Sequence, residues 1–130
     1  MDKSIYKYII GELKELLPKE WKKIIFRILY NSDNDMYNVR CYIETDKKTI
    51  DCSNTPGVEC NIAMNAFLHI NSVLQEERRK LDKNQLWSAM VMIVESDGKV
   101  ASDFYYKKVH RNLAYIGSKI DNKYLVNMQT

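Results

Sequence analysis

Glycine is scarce, at four in 130 residues, and that removes a class of function at the outset. Loops that cradle phosphates need glycine so that the backbone can approach the ligand. Gly11, Gly57, Gly98 and Gly117 stand apart, in neither phosphate-loop nor dinucleotide spacing. Histidine is scarcer still. His69 and His110 have no ligand spacing to each other or to Cys41, Cys52 and Cys60, so no metal is expected. His69, beside an apolar helical stripe, is expected to be a satisfied, half-buried histidine. The three cysteines make an odd count without a CxxC pair. Buried or half-buried free thiols are expected, with a Cys52–Cys60 disulfide as the alternative. No apolar run is longer than Ala89–Val94, far too short for a membrane span. The first residues read as an amphipathic helix rather than a signal peptide, so a cytoplasmic site of action is expected. No GxSxG elbow or other catalytic constellation is present, so neither enzyme activity nor a cofactor is expected. One-sided charge is missing too. Twenty basic residues against 17 acidic ones leave +3, weak for a dedicated nucleic-acid binder.

What is present is organised around residues 86–106. Two alternating segments flank Asp97-Gly98, a dipeptide suited to a β-hairpin turn. In the first arm Trp87, Ala89, Val91 and Ile93 share one face, and Leu86, Met90, Met92 and Val94 share the other. An arm that is apolar on both faces belongs inside a sheet, and its methionines read as core. The second arm places Val100, Phe104 and Tyr106 on one side.

The rest of the chain supplies partners for that hairpin. Ile5, Ile9, Leu13, Leu16 and Leu17 recur at helical spacing over 4–17, with Ser4 or Asp2 as cap and Pro18 as stop. Strands are expected at 22–30, 36–45 and 49–52, separated by the turn formers 31–35 and 46–48. Thr55-Pro56 reads as the start of a helix over 56–80, whose buried stripe is Ile62, Ala63, Ala66, Phe67, Ile70, Val73 and Leu74. Its last residues, 76–80, read as a solvated turn. The tail from 107 holds a short helix near 112–120. The length suits one domain, 1–130. The expected class is α+β, an antiparallel sheet of about five strands with helices packed on it, in two layers, ordered α-β-β-β-α-β-β plus a C-terminal tail.

Two sets of side chains are candidates for contact with a macromolecule. Asp33, Asp35, Asp46, Asp51 and Glu59 are an acidic set that could meet a basic partner. Lys107, Lys108, Arg111 and Lys119, with Tyr105 and Tyr115, are the basis of an alternative, a small basic RNA-binding module whose affinity would fall with salt.

The chain also resembles a known family. Leu17-Pro18-Lys19-Glu20-Trp21 after an amphipathic helix resembles the LPxEW entry of the YezG-like immunity proteins. Leu86-Trp87, Glu95-Ser96-Asp97-Gly98-Lys99, Asp103-Phe104-Tyr105-Tyr106 and Lys123-Tyr124-Leu125 continue the pattern in order. The resemblance implies a bacterial antitoxin that binds and neutralises a cognate polymorphic toxin domain, often a nuclease delivered by contact-dependent inhibition or a type VII system. It implies no active site. It implies structural roles for the motif residues: Trp21 and Trp87 as core anchors, Asp97 and Gly98 as the turn, and Tyr106 closing the pattern. Strongly acidic nuclease inhibitors mimic nucleic acid; the near-neutral charge here argues against simple mimicry.

Overall fold

The computed structural model describes residues 1–52, 55 and 58–125. Among them, the order is α1 (Lys3–Lys14), β1 (Trp21–Tyr30), β2 (Tyr37–Thr45), β3 (Thr49–Asp51), α2 (Cys60–Arg79), β4 (Ala89–Glu95), β5 (Val100–Tyr105) and α3 (Leu113–Leu125). The five strands form one antiparallel sheet in the order β3-β2-β1-β4-β5. β1 takes the centre because its residues 24–30 are buried on both faces. The doubly apolar arm of the hairpin, β4, is the inner strand beside it.

Those two-faced strands need cover on both sides, so the helices divide. α1 and α2 lie on the main core, with Phe26, Ile28, Met90 and Met92. α3 covers the opposite face, over Ile25, Leu29, Ala89 and Val91. The arrangement is therefore three-layered where two layers were expected. The tail helix is also longer than 112–120, because Tyr124 joins the second-face core.

Local differences from the sequence expectations have local causes. Asp2 caps α1 by accepting from the Ser4 amide at 2.9 Å, and the helix ends at Lys14 in a tightened turn, before Pro18. α2 begins at Cys60, not at 56. Thr55 does not cap it; its hydroxyl donates to the Cys52 carbonyl at 3.0 Å. Pro56 lies outside the described residues. Along α2, Ile62 is exposed while Ala63, Ala66, Ile70 and Leu74 face the sheet. Trp87 packs with the Met90 side, not with Ala89 and Val91, because it precedes the regular strand. The hairpin turn is a three-residue loop. Glu95 donates to Lys99 across it, the Lys99 amide donates to Asp97 Oδ1 at 3.1 Å, and only Gly98, at φ +99°, needs the left-handed region.

Cys41 and Cys52 are not free thiols. They form a disulfide with a Cα–Cα distance of 5.3 Å. The ladder explains the pairing. Tyr42 opposes Asp51, so Cys41 and Cys52 fall opposite each other one step on. Cys60, the alternative partner of Cys52, is exposed and free.

Gly117 is where α3 crosses β1. A Cβ there would lie 2.6 Å from Arg27 Nη2. That guanidinium cannot swing away, since it is bonded to Asp121 and Asn38. Alanine normally improves a helix by about 0.5–1 kcal/mol over glycine. Gly11→Ala in α1, with nothing within 4 Å, should show that gain. Gly117→Ala should instead destabilise by about 1–3 kcal/mol. Urea unfolding of the two variants tests the opposite signs.

Candidate functional site

The buried stripe of α2 steps from Ala63 through Ala66, Ile70 and Leu74 to Arg78. Arg78 therefore points into the protein, although it sits in a charged last turn. Its Nε and Nη2 donate to the Trp87 carbonyl at 3.1 and 2.9 Å. Its Nη1 donates to Asn34 Oδ1. The guanidinium carbon stands 4.2 Å from the Tyr30 ring centre and 5.2 Å from that of Trp87. Tyr30 is held in turn by donating to Asn71 at 2.7 Å, and burial raises its hydroxyl pKa.

This cluster joins three segments at one end of the sheet. Asn34, at φ +59°, adopts a left-handed turn that asparagine tolerates. Asn31 Oδ1 accepts from the amides of Asp35 and Met36 at 3.1 Å, which shapes the 31–36 turn. Ser32 donates its amide to the Val109 carbonyl at 2.7 Å, and its hydroxyl bonds His110 Nδ1 at 2.7 Å. Ser88 bridges Tyr30 and Tyr105 through backbone bonds. The end is thus pre-organised, which lowers the ordering cost of binding.

Its surface is apolar at the middle. A cleft of about 260 Å³ lies over Arg78, edged by Leu86, Trp87, Tyr106 and Lys108. A second, of about 240 Å³, shares Trp87 and Tyr106 and runs along Leu81 and Phe104. Leu86, Tyr106 and Met36 are 39, 57 and 60% exposed there or on the adjoining turn. Large exposed apolar groups over a rigid base suit protein recognition rather than bond-making.

The acidic set is not one patch. Asp33 and Asp35 sit on the 31–36 turn at this end, and Asp35 Oδ1 accepts from Asn31 at 2.6 Å. Asp46 lies beyond the far end of β2, nine residues or roughly 30 Å away, and is paired with Lys22. Asp51 ends β3 and pairs with Arg40 at 3.3 Å. Glu59 precedes α2 at the end opposite Arg78. The basic set is gathered more closely. Lys107, Lys108, Arg111 and Lys119 line one cleft with Tyr105, and Lys119 stands 4.6 Å above the Tyr115 ring.

Of the motif residues, Trp87 is buried, Trp21 is half-buried against the main core, and Tyr106 is exposed. His69 is exposed rather than half-buried, 3.2 Å from Glu12 on α1. The sequence reading missed Arg78 and Arg27. The signal for Arg78 was the α2 stripe carried one step further. For Arg27 it was a charge at an otherwise apolar position of a strand buried on both faces. Among the described residues no group of three or more His, Cys, Asp or Glu could hold a metal, and no helix is long and apolar enough to cross a membrane.

The family model described as immunity protein YezG-like matches residues 3–125. No curated protein matches the chain.

Proposed function

The chain belongs to the YezG-like immunity protein family, and from that premise we propose that it binds a cognate toxin domain, a nuclease, and blocks it by covering its active site or substrate groove. The match over residues 3–125 carries this reading. It acts by binding, without catalysis, and meets the toxin in the cytoplasm. The contact surface we assign is the end of the sheet built on Arg78, with Leu86 and Tyr106 as anchors and Asp33 and Asp35 at its edge. Exposed tyrosine over a buried arginine–tryptophan base is the kind of feature that concentrates binding energy.

The test is co-expression with the C-terminal toxin domain encoded beside this gene. A stoichiometric complex and restored growth are expected. Tyr106→Ala should weaken the complex by about 2 kcal/mol, roughly thirtyfold, without changing the melting temperature. An affinity within threefold of wild type would move the contact surface elsewhere.

A further inference from the structure

The largest cleft in the region, about 450 Å³, lies between the 107–111 segment and α3. Its floor is aliphatic: Leu29, Val109, Ile116 and Ile120. Its rim is cationic: Lys107, Lys108, Arg111 and Lys119, with His110. Among the described residues no carboxylate lines it. Of the acids close by, Asp121 is bonded to Arg27 and Asp103 accepts from the Tyr124 hydroxyl at 2.8 Å, while Asp33 and Asp35 stand on the adjoining 31–36 turn, outside the lining. A protein of net charge +3 has thus gathered at least four cations around one apolar trough.

We propose that this cleft takes an acidic segment of the toxin, with aliphatic side chains on the floor and carboxylates on the rim. The inference rests on the immunity reading and names the chemistry of the partner. Three features support it. The pairing of an apolar floor with a basic rim matches an amphipathic anionic peptide. The cleft is continuous with the surface over Arg78, since Ser88, Lys108 and Val109 line both, so one partner can fill the two together. A nucleic-acid strand needs aromatic faces on which bases stack. Here the lining aromatic, Tyr105, is half-buried and bonded through its hydroxyl to Tyr124 at 2.7 Å, while Tyr115, 60% exposed with Lys119 over one face, is not part of the lining.

The experiment compares wild type, Lys108→Glu/Arg111→Glu and Lys108→Gln/Arg111→Gln in calorimetric titrations with the toxin domain and with a uridine 20-mer. Lys108 and Arg111 are exposed, so both variants should melt with wild type. The reversal is expected to weaken toxin binding at least about thirtyfold and to abolish growth protection, with the neutral pair between. Wild-type affinity for the toxin should also fall as salt rises from about 50 to about 500 mM. Toxin binding by the reversal within threefold of wild type overturns the inference and leaves the immunity reading standing. So does binding of the 20-mer that the reversal removes while toxin binding is unchanged, which would make this a nucleic-acid cleft. A wild-type protein that neither binds nor protects against the toxin overturns both.

Discussion

Asp121→Ala is expected to destabilise the protein by about 3–5 kcal/mol, lowering its melting temperature by roughly 10–20 °C. Asp121 and Arg27 form an ion pair whose side chains are 3 and 1% exposed. Arg27 Nε and Nη2 donate to the two carboxylate oxygens, each at 2.9 Å. Its Nη1 donates to the Asn38 carbonyl at 2.9 Å and to Asn38 Oδ1 at 2.6 Å. Tyr42 completes the carboxylate's shell by donating at 2.9 Å. Burial, then the carboxylate itself, push that hydroxyl up to about 12, so it remains a donor. Removing Asp121 leaves a guanidinium under α3 with two of its donors unmet and no water to meet them. Added salt should not rescue the variant, because buried pairs are poorly screened. The double replacement Arg27→Met/Asp121→Leu should recover much of the loss, since a well-packed apolar pair often matches a buried ion pair. Urea titrations of the single and double variants decide the matter. A single variant within 1 kcal/mol of wild type would mean that water reaches the guanidinium once its partner is gone.

Arg78→Ala should cost about 3 kcal/mol and weaken the toxin complex although Arg78 is itself buried. Three losses combine. The Trp87 carbonyl and Asn34 Oδ1 lose their donors. The Tyr30 and Trp87 rings lose the cation between them, worth about 1–2 kcal/mol where solvent is excluded. The turn 31–36 loses its tie to α2, and with it the placement of Asp33, Asp35 and Met36. Arg78→Lys keeps the charge but not the fork, and should recover less than half of the stability. Arg79→Ala is the control. Arg79 pairs on the surface with Glu76 at 3.0 Å, three residues back, and its loss should stay within about 0.5 kcal/mol. Equal effects at 78 and 79 would remove Arg78 from the description of the site.

These two arginines also mark how far the chain could be read without its structure. Residue type and sequence neighbourhood do not reveal the burial of either. Arg27 sits between Phe26 and Ile28, and Arg78 within a run of charges. Burial of an arginine depends on partners supplied from elsewhere, here from α3 and from the start of β4. The basic cleft is a related case. Lys107, Lys108, Arg111 and Lys119 were recognisable as a set because all lie within 13 positions of one another. The aliphatic floor that changes their meaning comes from β1 and α3 together. The acidic set failed as a patch for the converse reason. Turns at opposite ends of β2 are near in sequence and far apart in space.

What this sequence determined by itself is local or periodic. Alternation set the strands, the 3.6-residue stripe set α1 and most of α2, and Gly98 set the hairpin turn, because these depend on contacts within a few residues. Family membership was legible for the same reason, since LPxEW, LW, ESDGK and DFYY are short strings in a fixed order. Tertiary structure decided the ladder register that pairs Cys41 with Cys52, the placing of α3 on the second face, and the burial of Arg27 and Arg78. A strand's period of two tells which residues share a face, but not which neighbour lies beside it or what covers that face. Those choices are made only when distant segments compete to bury the same surfaces, and the candidate toxin-binding end is built from segments brought together in that way.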